Sequence, residues 1–167
     1  MHLNIEIKAR THRHAEIREI LKQENAWFKG VDTQADTYFP CEKGRLKLRS
    51  GNIENSLIFY RRQDQEGPKS SEVFLSVLPA ETHLRETLGA ALGVWKEVKK
   101  TREIYFIGHI KFHLDTLEGL GQFVEIEAID SDGSIGEEQL RADCDRFIAL
   151  FGIRPEDLLR GSYSDMV

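Results

Sequence analysis

The chain has 167 residues, 40% of them hydrophobic and 31% charged, with a formal net charge of −5. That length holds one domain with a real core, spanning residues 1–167, and the composition excludes a disordered chain. The acidic balance excludes general affinity for nucleic acid, so any anion site must come from local clustering of the 23 basic residues. No apolar run approaches the ~20 residues that cross a bilayer, so no membrane partner is expected. Cys41 and Cys144 have neither CxxC nor metal-ligand spacing and read as reduced thiols. Together with a start, Met1-His2-Leu3-Asn4, that lacks the layout of a signal peptide, they point to the cytoplasm.

Strand side chains alternate between faces. In Asn4–Arg10, one face carries Ile5, Ile7 and Ala9, and the other carries Asn4, Glu6, Lys8 and Arg10. Ile17, Ile20 and Leu21 predict a helix over 14–24. Trp27 to Pro40 is rich in aromatic and β-branched residues and predicts a strand with a bend at Gly30 or Asp32. Arg45-Leu46-Lys47-Leu48-Arg49 alternates cations with leucines, and strands are expected over 56–63 and 72–78. Pro79 is expected to open a second helix with a Leu84, Leu88, Leu92 stripe, stopped by Gly93. Cation-rich Val94–Ile107, Ile110–Leu117 and Phe123–Ile129 complete the strands. A third helix carries Leu140, Cys144, Phe147, Ile148 and Phe151 on one side. Many antiparallel strands with a few helices predict an α+β barrel.

The polar faces carry the candidate chemistry. Glu6, the pair Glu125 and Glu127, and next Asp115 come from three strands and point at a shared volume. Such oxygen ligands suit Mg²⁺ or Mn²⁺, although a solvated face paired with lysines has the same pattern. Lys8, Arg10, Arg45, Lys47, Arg49, Arg62, Lys100 and Arg102 would match a linear polyanion, or else form a mixed-charge surface. Of the histidines, His12, His14 and His83 are expected to be exposed, and His113 shares a face with Asp115 and could line the interior. No Ser-His-Asp or Cys-His arrangement stands out.

Several motifs, taken in order, resemble the CYTH superfamily, the triphosphate tunnel metalloenzymes. Asn4-Ile5-Glu6-Ile7-Lys8 is similar to that family's opening E-x-E-x-K strand. Gly44–Arg49 resembles its G-R-L-K-L-R strand, Tyr60-Arg61-Arg62 its aromatic-x-R strand, and Lys100-Thr101-Arg102 its K-x-R strand. His113-Leu114-Asp115 through Gly119-Leu120-Gly121 to Phe123–Glu127 resembles its H-L-D…G-L-G-x-F-x-E-x-E signature. Ser162-Tyr163-Ser164-Asp165 is similar to the tail of the class IV adenylyl cyclase branch.

The resemblance, which covers residues 2 to 165, implies a closed eight-stranded antiparallel β-barrel with flanking helices. It implies a divalent cation, Mg²⁺ or Mn²⁺, on Glu6, Glu125, Glu127 and Asp115. A triphosphate would lie on Lys8, Lys47, Arg49, Arg62, Lys100 and Arg102, with Arg10 and Arg45 resting on strand parity more than on the motif. Glu6, Lys8 and Arg102 are the expected catalytic residues. The departure is Asn4, which stands where the family strand has its first glutamate and offers an amide oxygen without the charge.

Three activities follow as expectations. A class IV adenylyl cyclase would convert ATP to cyclic AMP and pyrophosphate. A triphosphatase would hydrolyse inorganic, thiamine or nucleoside triphosphate. A non-catalytic protein would only bind polyphosphate or nucleotide. A small-molecule triphosphate is the expected partner, and a homodimer is one arrangement that the sequence leaves open.

Overall fold

A computed structural model describes residues 1–167. The strands are β1 (His2–Arg10), β2 (Trp27–Phe39), β3 (Arg45–Ser50), β4 (Ser56–Arg62), β5 (Lys69–Val77), β6 (Lys96–Ile107), β7 (Ile110–Leu117) and β8 (Gly121–Asp130). They close into a barrel in the order β1-β5-β4-β3-β2-β6-β7-β8, with every neighbouring pair antiparallel. Closure leaves no open edge, which a sheet of this length would otherwise have to protect. The helices are α1 (His14–Gln23), α2 (Leu84–Leu92) and α3 (Glu137–Leu150). No helix is long and apolar enough to cross a membrane.

The hydrophobic core lies outside the barrel rather than within it. Ile5, Ile7 and Ala9 of β1, Phe112 and Leu114 of β7, and Val124, Ile126 and Ala128 of β8 meet Ile17 and Leu21 of α1 and Leu140, Cys144, Phe147 and Phe151 of α3. Phe112 packs edge-on against Phe147, with ring centroids 4.7 Å apart. The free Cys144 thiol donates to the Ile5 carbonyl at 3.2 Å. With the apolar faces turned outward under α1 and α3, strand alternation sends the polar faces into the barrel.

Two local expectations are corrected. Pro79 does not open α2, which starts five residues later at Leu84; the helix buries none of its residues, so its leucine stripe rests shallowly on the barrel. His14 is buried, not exposed, and its Nε2 lies 2.9 Å from the Phe123 carbonyl. The expected bend in β2 is a bulge: the pairing with β6 slips between Phe28 and Gly30, and Gly30 has φ +142°, which favours glycine.

Candidate active site

A cavity of about 310 Å³ occupies the barrel interior, within the range of small-molecule sites. Its wall includes Asn4, Glu6, Lys8, Lys47, Arg49, Arg62, Lys100, Arg102, Lys111, His113, Glu125 and Glu127. The registers explain this gathering: Glu6 faces Glu127 and Lys8 faces Glu125 across β1 and β8, while His113 and Lys111 of β7 face the same two glutamates.

The cations are held by few anions. Asp36, fully buried on β2, receives Arg49 through two bonds of 2.9 and 2.8 Å, Lys100 at 2.9 Å and Lys47 at 3.3 Å. One carboxylate thus positions three cations and leaves excess positive charge facing the cavity. Arg49, Lys100 and Lys47 in turn hold the Asp36 carboxyl well below its ordinary range against the cost of its burial. Burial, with Arg102, Arg49 and Lys47 nearby, brings the Lys100 ammonium down to about 7 in spite of Asp36. Arg62 donates to Glu6 and to the Ser162 hydroxyl. Lys8 lies 2.9 Å from Glu125, with its Nζ 3.7 Å above the Tyr163 ring.

The anionic cluster consists of Glu125, Glu127 and His113, which offer one ligand atom each within 4.8 Å of one another. Glu125 is compensated by Lys8 and by Arg102 at 2.8 Å. Glu127 is not: its nearest basic group is His113 Nδ1 at 3.8 Å, and Lys111, opposite it in register, reaches Glu54 instead at 2.6 Å. Burial, then Glu125 and Glu6, push the Glu127 carboxyl up to about 7. Burial, with Arg102, pushes His113 down to about 3, so its ring is neutral; Nδ1–H donates to Glu125 at 2.8 Å and Nε2 is buried without a partner. An uncompensated carboxylate beside a second carboxylate and a neutral imidazole is a donor set that fits a Mg²⁺ or Mn²⁺ ion.

Three residues singled out from the sequence lie elsewhere. Asp115 is fully buried, and its oxygens are taken by Arg102 through two bonds of 2.7 Å and by the Tyr163 hydroxyl at 2.7 Å. It positions Arg102 and does not reach the cavity. Arg10 donates to the Leu120 carbonyl at 3.1 Å, and Arg45 pairs with Asp165 at 2.9 Å and stacks on Trp95. Arg10 also reaches the Met166 Sδ at 3.7 Å, so both arginines meet the tail rather than line the tunnel.

Asp36, Lys111, Glu54, Tyr38, Tyr60 and Ser162 were not anticipated in the site. A signal for Asp36 was available: Asp32, Gln34, Asp36 and Tyr38 alternate with Val31, Thr33, Ala35 and Thr37 and are all buried on the inner face of β2. Asp32 also accepts the Ile53 and Glu54 amides at 2.9 Å each and so shapes the turn between β3 and β4. A Cβ on Gly51 would meet its oxygen at 2.6 Å.

Residues 2–152 match the family model of the CYTH domain. No curated protein matches the chain. Among solved structures, the PH1012 protein from Pyrococcus horikoshii has a TM-score of 0.77 at 23% identity, with 98% of this chain and 99% of that chain covered. A candidate adenylate cyclase from Vibrio parahaemolyticus has a TM-score of 0.73 at 21% identity, with 98% and 96% covered. HpAC1 from Hippeastrum, an adenylyl cyclase candidate with a dominant triphosphatase activity, has a TM-score of 0.62 at 14% identity, with 97% and 91% covered. These likenesses establish a common fold.

Proposed function

Given that the chain belongs to the CYTH domain family, we propose that it binds a triphosphate in the barrel and processes it with a divalent cation. The observation that carries this reading is Asp36 with Lys47, Arg49 and Lys100: one buried anion under three inward cations leaves a positive surface that suits a polyanion. Lys8, Arg62 and Arg102 extend that surface, each with a carboxylate or hydroxyl behind it that fixes its direction. Charge-assisted bonds from fixed cations strengthen as negative charge builds on the reacting phosphate and cost no reorganisation at that moment.

Glu127, with Glu125 and His113, would hold Mg²⁺ or Mn²⁺, and Glu6 lies opposite Glu127 with its carboxylate on Arg62. The bound ion would supply charge neutralisation at the phosphoryl oxygens and help ionise the nucleophile.

The finer reading is a class IV adenylyl cyclase: the ribose 3′-hydroxyl attacks the α-phosphorus and pyrophosphate leaves. Its support is the tail, whose Ser162 and Tyr163 carried the resemblance to that branch and which line the cavity against Arg62 and Lys8. Hydrolysis by water needs the same wall and differs only in nucleophile and products. Phosphorus NMR with Mg²⁺ or Mn²⁺ and, separately, ATP, inorganic triphosphate and thiamine triphosphate tests the reading. A cyclic phosphate with pyrophosphate establishes the cyclase, and orthophosphate with diphosphate establishes a triphosphatase. Binding without either product leaves a polyphosphate-binding protein, and no binding overturns the reading.

A further inference from the structure

A second cavity, of about 520 Å³, lies between the end of the β4–β5 hairpin and α3, and no hydrophobic residue lines it. Arg61 and Arg62 of β4, Lys69 of β5 and Arg141 of α3 face it, and Glu72 is the one carboxylate in its wall. Arg62 is the only residue that it shares with the tunnel. Asp64 of the hairpin loop lines a different cavity, with Cys41 and Arg45.

The chain orients these cations without neutralising all of them. Arg61 donates to Glu72, its register neighbour, at 2.8 Å. Arg141 donates to Glu137 at 2.9 Å and to the Pro68 carbonyl at 3.1 Å, which ties α3 to the hairpin loop. Both guanidinium groups are half-exposed, and each keeps further N–H groups of its five-donor fork unused. Lys69 is 1% exposed and has no carboxylate partner. Its ammonium donates only to main-chain carbonyls, of Arg160 at 2.7 Å and of Gln65 and Leu159 at 3.4 Å. Burial, then Arg62, brings it down to about 8. Arg62 meets Glu6 in the tunnel, and its buried Nε has no partner. Buried positive charge without a counter-charge is costly, and an anion in the cavity would relieve that cost.

Two guanidinium forks beside a buried, unpaired ammonium suit a tetrahedral oxyanion, which can accept parallel bonds from each fork. A wall without apolar groups offers nothing to a ring or an acyl chain. We infer that this cavity is a second anion site, outside the tunnel, that takes inorganic diphosphate or phosphate. Arg61 and Arg141 hold the anion directly, and Lys69 and Arg62 supply charge behind them. The site stands independently of what the tunnel binds.

The test is calorimetric titration with inorganic diphosphate of the native protein and of the Arg61→Gln/Arg141→Gln double variant. Half-exposed ion pairs add little to stability, so the double variant should fold as the native chain does. The tunnel has cations of its own, so the native protein should bind two diphosphates per chain and the double variant one. Arg141→Gln alone should weaken the outer site about 10-fold, the usual result of losing a charge-assisted bond. Arg141→Lys keeps the charge but not the fork and should recover part of that loss. The same stoichiometry and affinity in the native protein and the double variant would overturn the site, as would no binding to either. One diphosphate on the native protein and none on the double variant would keep the outer site and sink the triphosphate reading of the tunnel instead.

Discussion

Arg102 clasps Asp115 through two parallel hydrogen bonds of 2.7 Å while the same guanidinium reaches Glu125 at 2.8 Å. Asp115 is thus one layer behind the cavity wall, and its charge sets the position of a cation rather than of a metal. Asp115→Asn should lower stability by about 3–5 kcal/mol, the usual result of breaking a buried pair from one side. Mn²⁺ affinity, read by isothermal calorimetry on the folded protein, should stay within about threefold. A large loss of Mn²⁺ binding would restore Asp115 as a ligand.

Glu127 is the contrasting carboxylate, half-buried beside Glu125 and Glu6 and in no ion pair with a lysine or arginine. Glu127→Gln removes like-charge repulsion and should leave the melting temperature unchanged or raise it. Mn²⁺ affinity should fall by at least the ~10-fold that the loss of an outer partner typically costs a metal site. Unchanged Mn²⁺ binding would place the ion elsewhere.

Asp36 carries three cations on one carboxylate. Asp36→Asn should destabilise the chain by about 3–5 kcal/mol. Inorganic triphosphate supplies the missing charge and should raise the melting temperature of the variant by more than that of the native protein, through mass action. Differential scanning fluorimetry with and without triphosphate reads both effects, and an equal rise in the two proteins would count against these lysines and this arginine as a phosphate site.

Lys100 gives the pH dependence its sign. Its ammonium is brought from 10.5 down to about 7, first by burial. Between those values the unfolded chain binds a proton that the folded chain does not, so this group adds stability as pH rises from about 7 and withdraws it as pH falls. Triphosphate binding runs the other way, because the anion favours the protonated amine. Affinity should fall above about pH 7, with proton uptake on binding visible as a dependence of calorimetric heat on buffer ionisation enthalpy. Lys100→Met should reduce that uptake, leaving the part carried by Glu127.

The barrel was legible in the sequence because its strands alternate cleanly: Arg45–Arg49 and Phe123–Ile129 announce both faces by period alone. The order of charged motifs along the chain carried most of the wall. What period could not show is which inward group faces a ligand and which faces another inward group. Asp115 has the same parity and charge as Glu125 and Glu127, yet it lies opposite Arg102 in register and is consumed there. Register between strands far apart in sequence decides this, and it is fixed by closure rather than by any one segment. Asp36 was hidden for a different reason: aromatic and β-branched neighbours dominate its strand and mask the polar alternation. Arg10 and Arg45 share the cationic faces but sit at strand ends, where Met166 and Asp165 of the tail meet them.

The seam of the barrel has a consequence for how the chain is made. β1 takes its two partners from Lys69–Val73 and from Phe123–Asp130, so the first strand to emerge is completed only by the last. Until then Ile5, Ile7 and Ala9 lack the α3 surface that buries them, and Glu6 and Lys8 lack Glu127 and Glu125 opposite. Pairings this remote in sequence slow folding and leave an unpaired hydrophobic strand exposed to other chains while synthesis continues. A permuted chain that links Val167 to Met1 would leave only α3 and the tail between β8 and β1 in sequence, and it should refold faster and aggregate less, with the same tunnel.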